Sequence, residues 1–128
     1  MEGIFLKDKL LFTKNHEWIK LKDDKAFIGL TDFAGKNLGE VMYIDMPKVG
    51  AEFEFREYFL SYESLKAASQ MRAPFKGKVL KVNDKIEDNP GLLNADAYDN
   101  WFIEAQVYEI EEDRFMDKEE YDEFIKHW

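Results

Sequence analysis

The sequence predicts a mainly β fold, a small antiparallel sandwich or flattened barrel with one short internal helix and one C-terminal helix. Three observations predict it. Short apolar segments are separated by polar turns, the segment Trp101–Tyr108 alternates as a strand does, and apolar residues recur at helical spacing after Asp117. The 128 residues suffice for one domain, spanning residues 1–128, with a single core.

The first half of the chain predicts a hairpin, a short helix and further strands. These are the strands Trp18–Leu21 and Ala26–Leu30, the helix Phe33–Leu38, the strand Val41–Met46, the strand-like residues Phe53 and Phe55, and the strand Tyr58–Tyr62. The polar residues 22–25 provide the hairpin turn. Thr31 and Asp32 can cap the helix, and Gly39 ends it.

The second half predicts three strands, a loop and the terminal helix. These are the strands Gln70–Ala73, Val79–Val82 and Trp101–Tyr108, the turn Pro74–Gly77, the loop Asn83–Leu93 with one helical turn, and the helix at about 117–127. Asp117 and Glu120 stand three residues apart, as in a helix N-terminal capping box. The side chains that should dock this helix on the sheet are Tyr121, Phe124, Ile125 and Trp128.

The charge of the chain argues against several classes of partner. A net charge of −9 does not suit nucleic acid, because phosphate binding needs clustered Lys and Arg. An anionic membrane surface is disfavoured for the same reason, and no stretch approaches the length of a membrane span. The acidic surface instead suits protein partners that have basic docking faces.

The residue types also argue against an enzyme. The chain has no cysteine, so disulfides and thiol catalysis are excluded, and His16 and His127 are too far apart to suggest a metal site. No nucleophile–base pair or phosphate-binding loop is present, so no catalytic residue is expected. Residues 1–12 lack the basic region, apolar run and cleavage site of a leader, which predicts a cytoplasmic location.

One lysine stands out in the segment Glu63–Ser69. Lys66 lies between Leu65 and Ala67, and the small residues that follow allow another protein to approach the chain closely. Lysine combines a nucleophilic amine with a long stem, so a lysine at a hairpin tip is suited to covalent attachment of a cofactor. The alternative is an ordinary solvated surface lysine.

The chain resembles the glycine cleavage system H-protein family, a family of lipoyl carriers, over about residues 10 to 125. The segments that carry the resemblance, in collinear order, are His16–Glu17–Trp18, Ile28–Ala34, Leu38–Val41, Asp45–Gly50, Glu63–Ser69, Ala73–Val79, Val82–Asn83, Asn89–Asn94 and Tyr98. Biotin carriers are the natural competitor. Their lysine typically lies between two methionines, which the neighbours of Lys66 do not match.

The resemblance implies a hybrid-motif lipoyl fold of two antiparallel sheets and lipoate joined to Lys66. The attachment turn would consist of Glu63, Ser64, Leu65, Lys66 and Ala67. The lipoyllysine arm would shuttle an aminomethyl intermediate between glycine decarboxylase and aminomethyltransferase, and dihydrolipoyl dehydrogenase would reoxidise it. A lipoate ligase or lipoyl transferase would attach it. The protein itself would be a carrier and a substrate of these enzymes.

The resemblance also implies a cleft for the loaded arm, in which Glu17 would face the amine. A solvated acid at a strand start is an equal alternative for Glu17. The position four residues after the lysine is usually aspartate in the family, but here it is the neutral Gln70. The residue before Glu63 is usually small and the residue before the late tryptophan is usually glycine, whereas this chain has Tyr62 and Asn100.

These departures keep two other functions open. An H-like lipoate carrier could serve another pathway, such as sulfur oxidation by a heterodisulfide-reductase-like complex or relay of lipoate to other acceptors. The chain could also be an interaction module that keeps the fold and is not lipoylated.

Overall fold

A computed structural model describes the backbone of residues 6–128, with side chains from residue 8 onward. The strands are β1 Leu6–Phe12, β2 Glu17–Asp23, β3 Lys25–Leu30, β4 Val41–Asp45, β5 Glu52–Phe53, β6 Tyr58–Ser64, β7 Ala68–Arg72, β8 Lys76–Val82 and β9 Trp101–Glu109. The helices are α1 Asp32–Leu38, α2 Asp84–Asp88 and α3 Lys118–Ile125, with 3₁₀ segments at Pro90–Asn94 and Glu112–Arg114.

Two antiparallel sheets form the fold, which confirms the predicted class. One sheet has six strands in the order β1-β2-β3-β9-β8-β5, and the other has three in the order β4-β6-β7. The described strands do not close into a barrel, so the sandwich alternative is the correct one. Apolar side chains from both sheets fill the space between them, including Ile19, Ile28, Ile44, Leu60, Met71 and Phe102.

The C-terminal helix α3 packs on a second, smaller apolar cluster. Its N-terminus has the expected capping box, with Asp117 accepting from the amide of Glu120 and Glu120 accepting from the amide of Asp117. Tyr121 is buried, and its ring stacks on Phe12 at a centroid distance of 4.7 Å. Trp128 remains 71% exposed. Of the side chains predicted to dock α3 on the sheet, Tyr121 is therefore buried, whereas Trp128 at the C-terminal end is largely exposed to solvent.

Three strand predictions differ from the structure. Phe55 was expected to be strand-like, but β5 ends at Phe53 and Phe55 lies in the turn that follows. No strand was expected at Leu6–Phe12, where apolar and charged residues do not alternate cleanly, but β1 pairs along β2. The predicted turn Pro74–Gly77 is wrong in its second half, because β8 already begins at Lys76. Gly77 lies inside the pairing with β9, where a Cβ atom would come within 2.2 Å of the Gln106 carbonyl oxygen.

The predicted loop Asn83–Leu93 is more regular than expected. Helix α2 begins after Asn83, whose side chain accepts from the Lys85 amide at 3.2 Å and donates to the Trp101 carbonyl at 2.9 Å. The apolar residues Ile86 and Leu93 are buried, which gives this polar segment its anchoring points. A single buried apolar residue in each short helix gives too weak a periodicity to predict that helix from the sequence.

No helix within residues 6–128 is long and apolar enough to cross a membrane. In the same part of the chain, no three His, Asp or Glu side chains gather in a way that could hold a metal ion. The prediction that residues 1–12 contain no leader concerns, in part, residues 1–5, which lie outside the described residues.

Candidate functional site

Lys66 lies at the tip of the hairpin that joins β6 to β7. The amide of Ser64 donates to the carbonyl of Ala67 at 2.8 Å, which leaves Leu65 and Lys66 as the two loop residues. The Ser64 hydroxyl oxygen accepts from the amides of Lys66 at 3.3 Å and Ala67 at 3.2 Å. Neither Leu65 nor Lys66 has a positive φ, so the turn needs no glycine. The serine side chain therefore closes the turn that carries the lysine.

The tip of this hairpin is open to solvent. Leu65 is 70% exposed, and Lys66, Ala67 and Ala68 are exposed as well. Among the described residues, Lys66 forms no ion pair. Glu63 is exposed and lies opposite Ala68 in the strand register. An enzyme that modifies the ε-amine can therefore reach it without moving the surrounding chain.

The turn is also fastened to the body of the protein. The amide of Leu65 donates to the carbonyl of Glu40 at 3.1 Å, in the residue that precedes β4. Gly39, with φ of 73°, lies beneath the lysine, where an added Cβ would be 3.8 Å from Cγ and 3.9 Å from Cε of Lys66. The stem of Lys66 therefore crosses the junction between α1 and β4.

Gln70 lies on the outer face of the same hairpin. It is exposed on β7 and pairs with Ser61 on β6. A groove of about 540 Å³ runs along this face, lined in part by Tyr43, Tyr58 and Gln70. Gln70 and the attachment turn therefore belong to one hairpin, and the residue four positions after Lys66 presents a neutral amide.

Glu17 lies at the start of β2 in the other sheet. It is only 7% exposed, so the alternative of a solvated acid is wrong. Burial raises the pKa of Glu17 to about 7, against the hydrogen bond from Thr13, whose hydroxyl donates to Oε1 at 2.8 Å. The expected contact between Glu17 and a loaded amine stays a prediction.

Tyr62 fills space between the sheets. It is 8% exposed, and its ring stacks on Phe102 at a centroid distance of 5.9 Å. Burial raises the pKa of Tyr62; a hydrogen bond with Ser69 opposes this, and the charge of Glu17 adds to it. The negative charge of Glu17 is therefore close enough to act on Tyr62, although the two residues lie on strands of different sheets.

The structure reveals a hydrogen-bond network around His16 that the sequence did not predict. The Tyr121 hydroxyl is 2.9 Å from Nδ1 of His16 and 2.7 Å from the Thr31 hydroxyl. His16 and Trp18 are both buried. Tyr121 therefore ties α3 to the loop before β2 and to the N-cap of α1. Its helical spacing predicted burial but gave no signal for these partners.

Comparison with known proteins identifies one family whose members resemble nearly the whole chain. Residues 10–128 match the sequence profile of the family described as Glycine cleavage H-protein. The chain is 43% identical over 117 residues to the glycine cleavage system H protein of Thermoanaerobacter sp. (strain X514), covering 91% of this chain and 93% of that one.

A more distant relative and a solved structure agree with this. The probable glycine cleavage system H protein of Thermococcus gammatolerans is 39% identical over 124 residues, covering 94% of this chain and 92% of that one. The crystal structure of a glycine cleavage system H protein from Mycobacterium marinum superposes with a TM-score of 0.85 at 26% identity, over 94% of this chain and 99% of that chain.

Proposed function

Since the chain belongs to the glycine cleavage H-protein family, we propose that it is a carrier with lipoate joined to Lys66 by an amide bond. The observation that carries the proposal is the position of Lys66 at an exposed two-residue turn that Ser64 closes. We also propose that residues 1–128 form one lipoyl-carrier domain and that the protein is located in the cytoplasm.

The residues of the turn fit such a group. The Lys66 amine is free of ion pairs within the described chain, and the neighbouring Ala67 and Ala68 leave room for a modifying enzyme. In the attachment step, the amine nitrogen bonds to the activated carboxyl carbon of lipoate, the activating group leaves, and the nitrogen loses a proton. A lipoate ligase or a lipoyl transferase supplies the activated acid. Ser64 and Leu65 hold the turn in place for this reaction.

We propose that the loaded protein serves glycine cleavage. Joined to Lys66, lipoate would supply a disulfide for the group-transfer and redox chemistry of glycine decarboxylase, aminomethyltransferase and dihydrolipoyl dehydrogenase. The protein's own contribution is positional. A stem tethered at a rigid turn raises the local concentration of the arm at each partner far above that of a free cofactor.

Intact mass spectrometry tests the attachment. Incubation with lipoate, ATP and a lipoate ligase should add the mass of one lipoyl group to the wild type, and Lys66→Arg should gain none. Lys81, an exposed lysine on β8, provides the matched control. Lys81→Arg should be modified like the wild type. An unmodified wild type under conditions that modify a known acceptor would support the non-lipoylated interaction module instead.

A second candidate function rests on Gln70. Its exposed neutral amide on the outer face of the hairpin offers no negative charge to a cationic load, which favours a lipoate carrier of another pathway. Glycine-dependent carbon dioxide exchange with the organism's own decarboxylase separates the two. Exchange by the lipoylated wild type supports glycine cleavage. No exchange, restored by Gln70→Asp, supports the other pathway.

A further inference from the structure

Asn94 joins two segments of the chain directly behind the Lys66 turn. Its side-chain amide donates to the carbonyls of Gly35 at 2.8 Å and Gly39 at 2.7 Å. Its Oδ1 accepts from the amide of Val41 at 2.9 Å. Both donor hydrogens and the acceptor oxygen are therefore used on backbone groups distant in sequence.

These three bonds fix the residue that holds the turn. Gly39 and Val41 flank Glu40, and the Glu40 carbonyl accepts the hydrogen bond from the Leu65 amide. Further hydrogen bonds at the tip lie within the hairpin itself, between residues 64 and 67, and Ser64 also pairs with Val41 of β4 in the strand register. The bond between Leu65 and Glu40 thus extends the pairing of β6 with β4 by one residue, into the loop that carries Lys66.

Asn94 acts from a well-anchored segment. It ends the 3₁₀ segment Pro90–Asn94, in which Leu93 is 2% exposed. Asn100 is 3% exposed, and its amide donates to the carbonyls of Leu92 at 2.9 Å and Asp96 at 2.5 Å. Asn100 therefore holds the backbone on both sides of Asn94.

We propose that Asn94 is a positioning residue for the modification of Lys66. It does not touch the lysine; it holds residues 39–41 so that Glu40 keeps the Leu65 amide, and with it the turn, in one place. If the turn already has the geometry that the modifying enzyme binds, less conformational entropy is lost on binding. This inference rests on the proposed function, because it names what makes Lys66 a good acceptor.

The test compares Asn94→Ala with Asn89→Ala. Asn89 lies five residues earlier, is exposed, and its side chain makes no hydrogen bond within the described structure. We expect Asn94→Ala to speed hydrogen exchange at the Leu65 amide roughly tenfold relative to the core amide of Ala105. We also expect the KM of a lipoate ligase for the protein to rise roughly fivefold, with kcat nearly unchanged. Asn89→Ala should behave like the wild type.

The outcomes separate the two claims. If the wild type is lipoylated and Asn94→Ala matches Asn89→Ala in KM and in exchange at Leu65, the positioning role is wrong and the carrier function stands. If the wild type is not lipoylated by a competent ligase, both fail. Should Asn94→Ala not fold, Asn94→Asp removes the two donated bonds and keeps an oxygen for Val41. It should then show the same rise in KM at temperatures where circular dichroism shows it folded.

Discussion

The hydroxyl of Thr13 donates a 2.8 Å hydrogen bond to the carboxylate of Glu17, and Glu17 is almost completely buried. The bond favours the ionised acid, but burial outweighs it and raises the pKa of Glu17 to about 7 from 4.5. The folded state therefore keeps a proton in a pH range where the unfolded chain has already lost it.

This imbalance makes stability depend on pH. As the pH rises from about 4.5 to about 7, the free energy of unfolding should fall, by roughly 3 kcal/mol from this group in full, and then level off. Glu17→Gln keeps an oxygen for Thr13 and cannot ionise, so it should lack this fall. Urea unfolding at a series of pH values measures the difference. An equal slope in Glu17→Gln and in the exposed control Glu63→Gln would contradict the assignment.

His16 should act in the opposite direction. Burial lowers the pKa of His16, so its contribution is complete above about pH 6.5 and is lost as the pH falls below that value. Because His16 has a φ of 66°, asparagine is the suitable replacement, since it tolerates that conformation and does not titrate. Thermal unfolding of His16→Asn should lose less stability between pH 7 and pH 5 than the wild type loses. A steeper acid loss in the variant would rule this out.

The Tyr121 hydroxyl is expected to contribute strongly to stability. Tyr121→Phe keeps the ring stacked on Phe12 but leaves Nδ1 of His16 and the Thr31 hydroxyl without their shared partner. The cost should be about 1 to 3 kcal/mol in the free energy of unfolding. Tyr43 is 57% exposed, so Tyr43→Phe should cost almost nothing in the same denaturation experiment. Equal costs for the two variants would refute the network.

Gly77 and Gly50 should differ sharply in tolerance to alanine. At Gly77, a Cβ atom would lie 2.2 Å from the Gln106 carbonyl oxygen, so β8 and β9 would have to separate, at a cost of roughly 3 kcal/mol or more. At Gly50, the space is open and only the φ of 91° opposes a side chain, at about 1 kcal/mol. Melting temperatures of the two alanine variants measure the contrast, which similar values would disprove.

Ser64 should affect the turn more than the whole protein. Ser64→Ala removes the acceptor for the amides of Lys66 and Ala67, at an exposed site where the global cost should be about 0.5 to 1 kcal/mol. Hydrogen exchange at those two amides should speed up severalfold while the Ala105 amide hardly changes. Ser64→Thr keeps the hydroxyl and should restore slow exchange. If the threonine variant exchanged as fast as the alanine variant, the hydroxyl would not be what closes the turn.

The sequence predicted the parts of the fold that depend on nearby residues. Thr31 caps α1, Asp117 and Glu120 begin α3, and the Lys66 turn lies between two strands, because each of these rests on neighbours within a few positions. Strand β1 was not predicted because it is stabilised by its pairing with β2. The weak apolar pattern of its own residues does not indicate that pairing.

The candidate site was predictable at its tip and not behind it. Lys66 was identified by its local pattern and by family resemblance. The roles of Asn94 and Asn100 were not, because an asparagine that bonds backbone carbonyls many residues away looks like any polar loop residue in the sequence. The sequence left the burial of Glu17 undecided for the same kind of reason, since its surroundings come from distant segments.

The two-residue loop of the lysine hairpin has a consequence for how this chain can vary. Surface loops usually accept insertions and deletions, because nothing fixes their length. This one is closed between Ser64 and Ala67 and held at Leu65, so one added or lost residue would break a contact and shift the strand register. Among homologues, we expect length changes to collect elsewhere, such as around Gly50, while the number of residues between Ser64 and Ala67 is set by geometry.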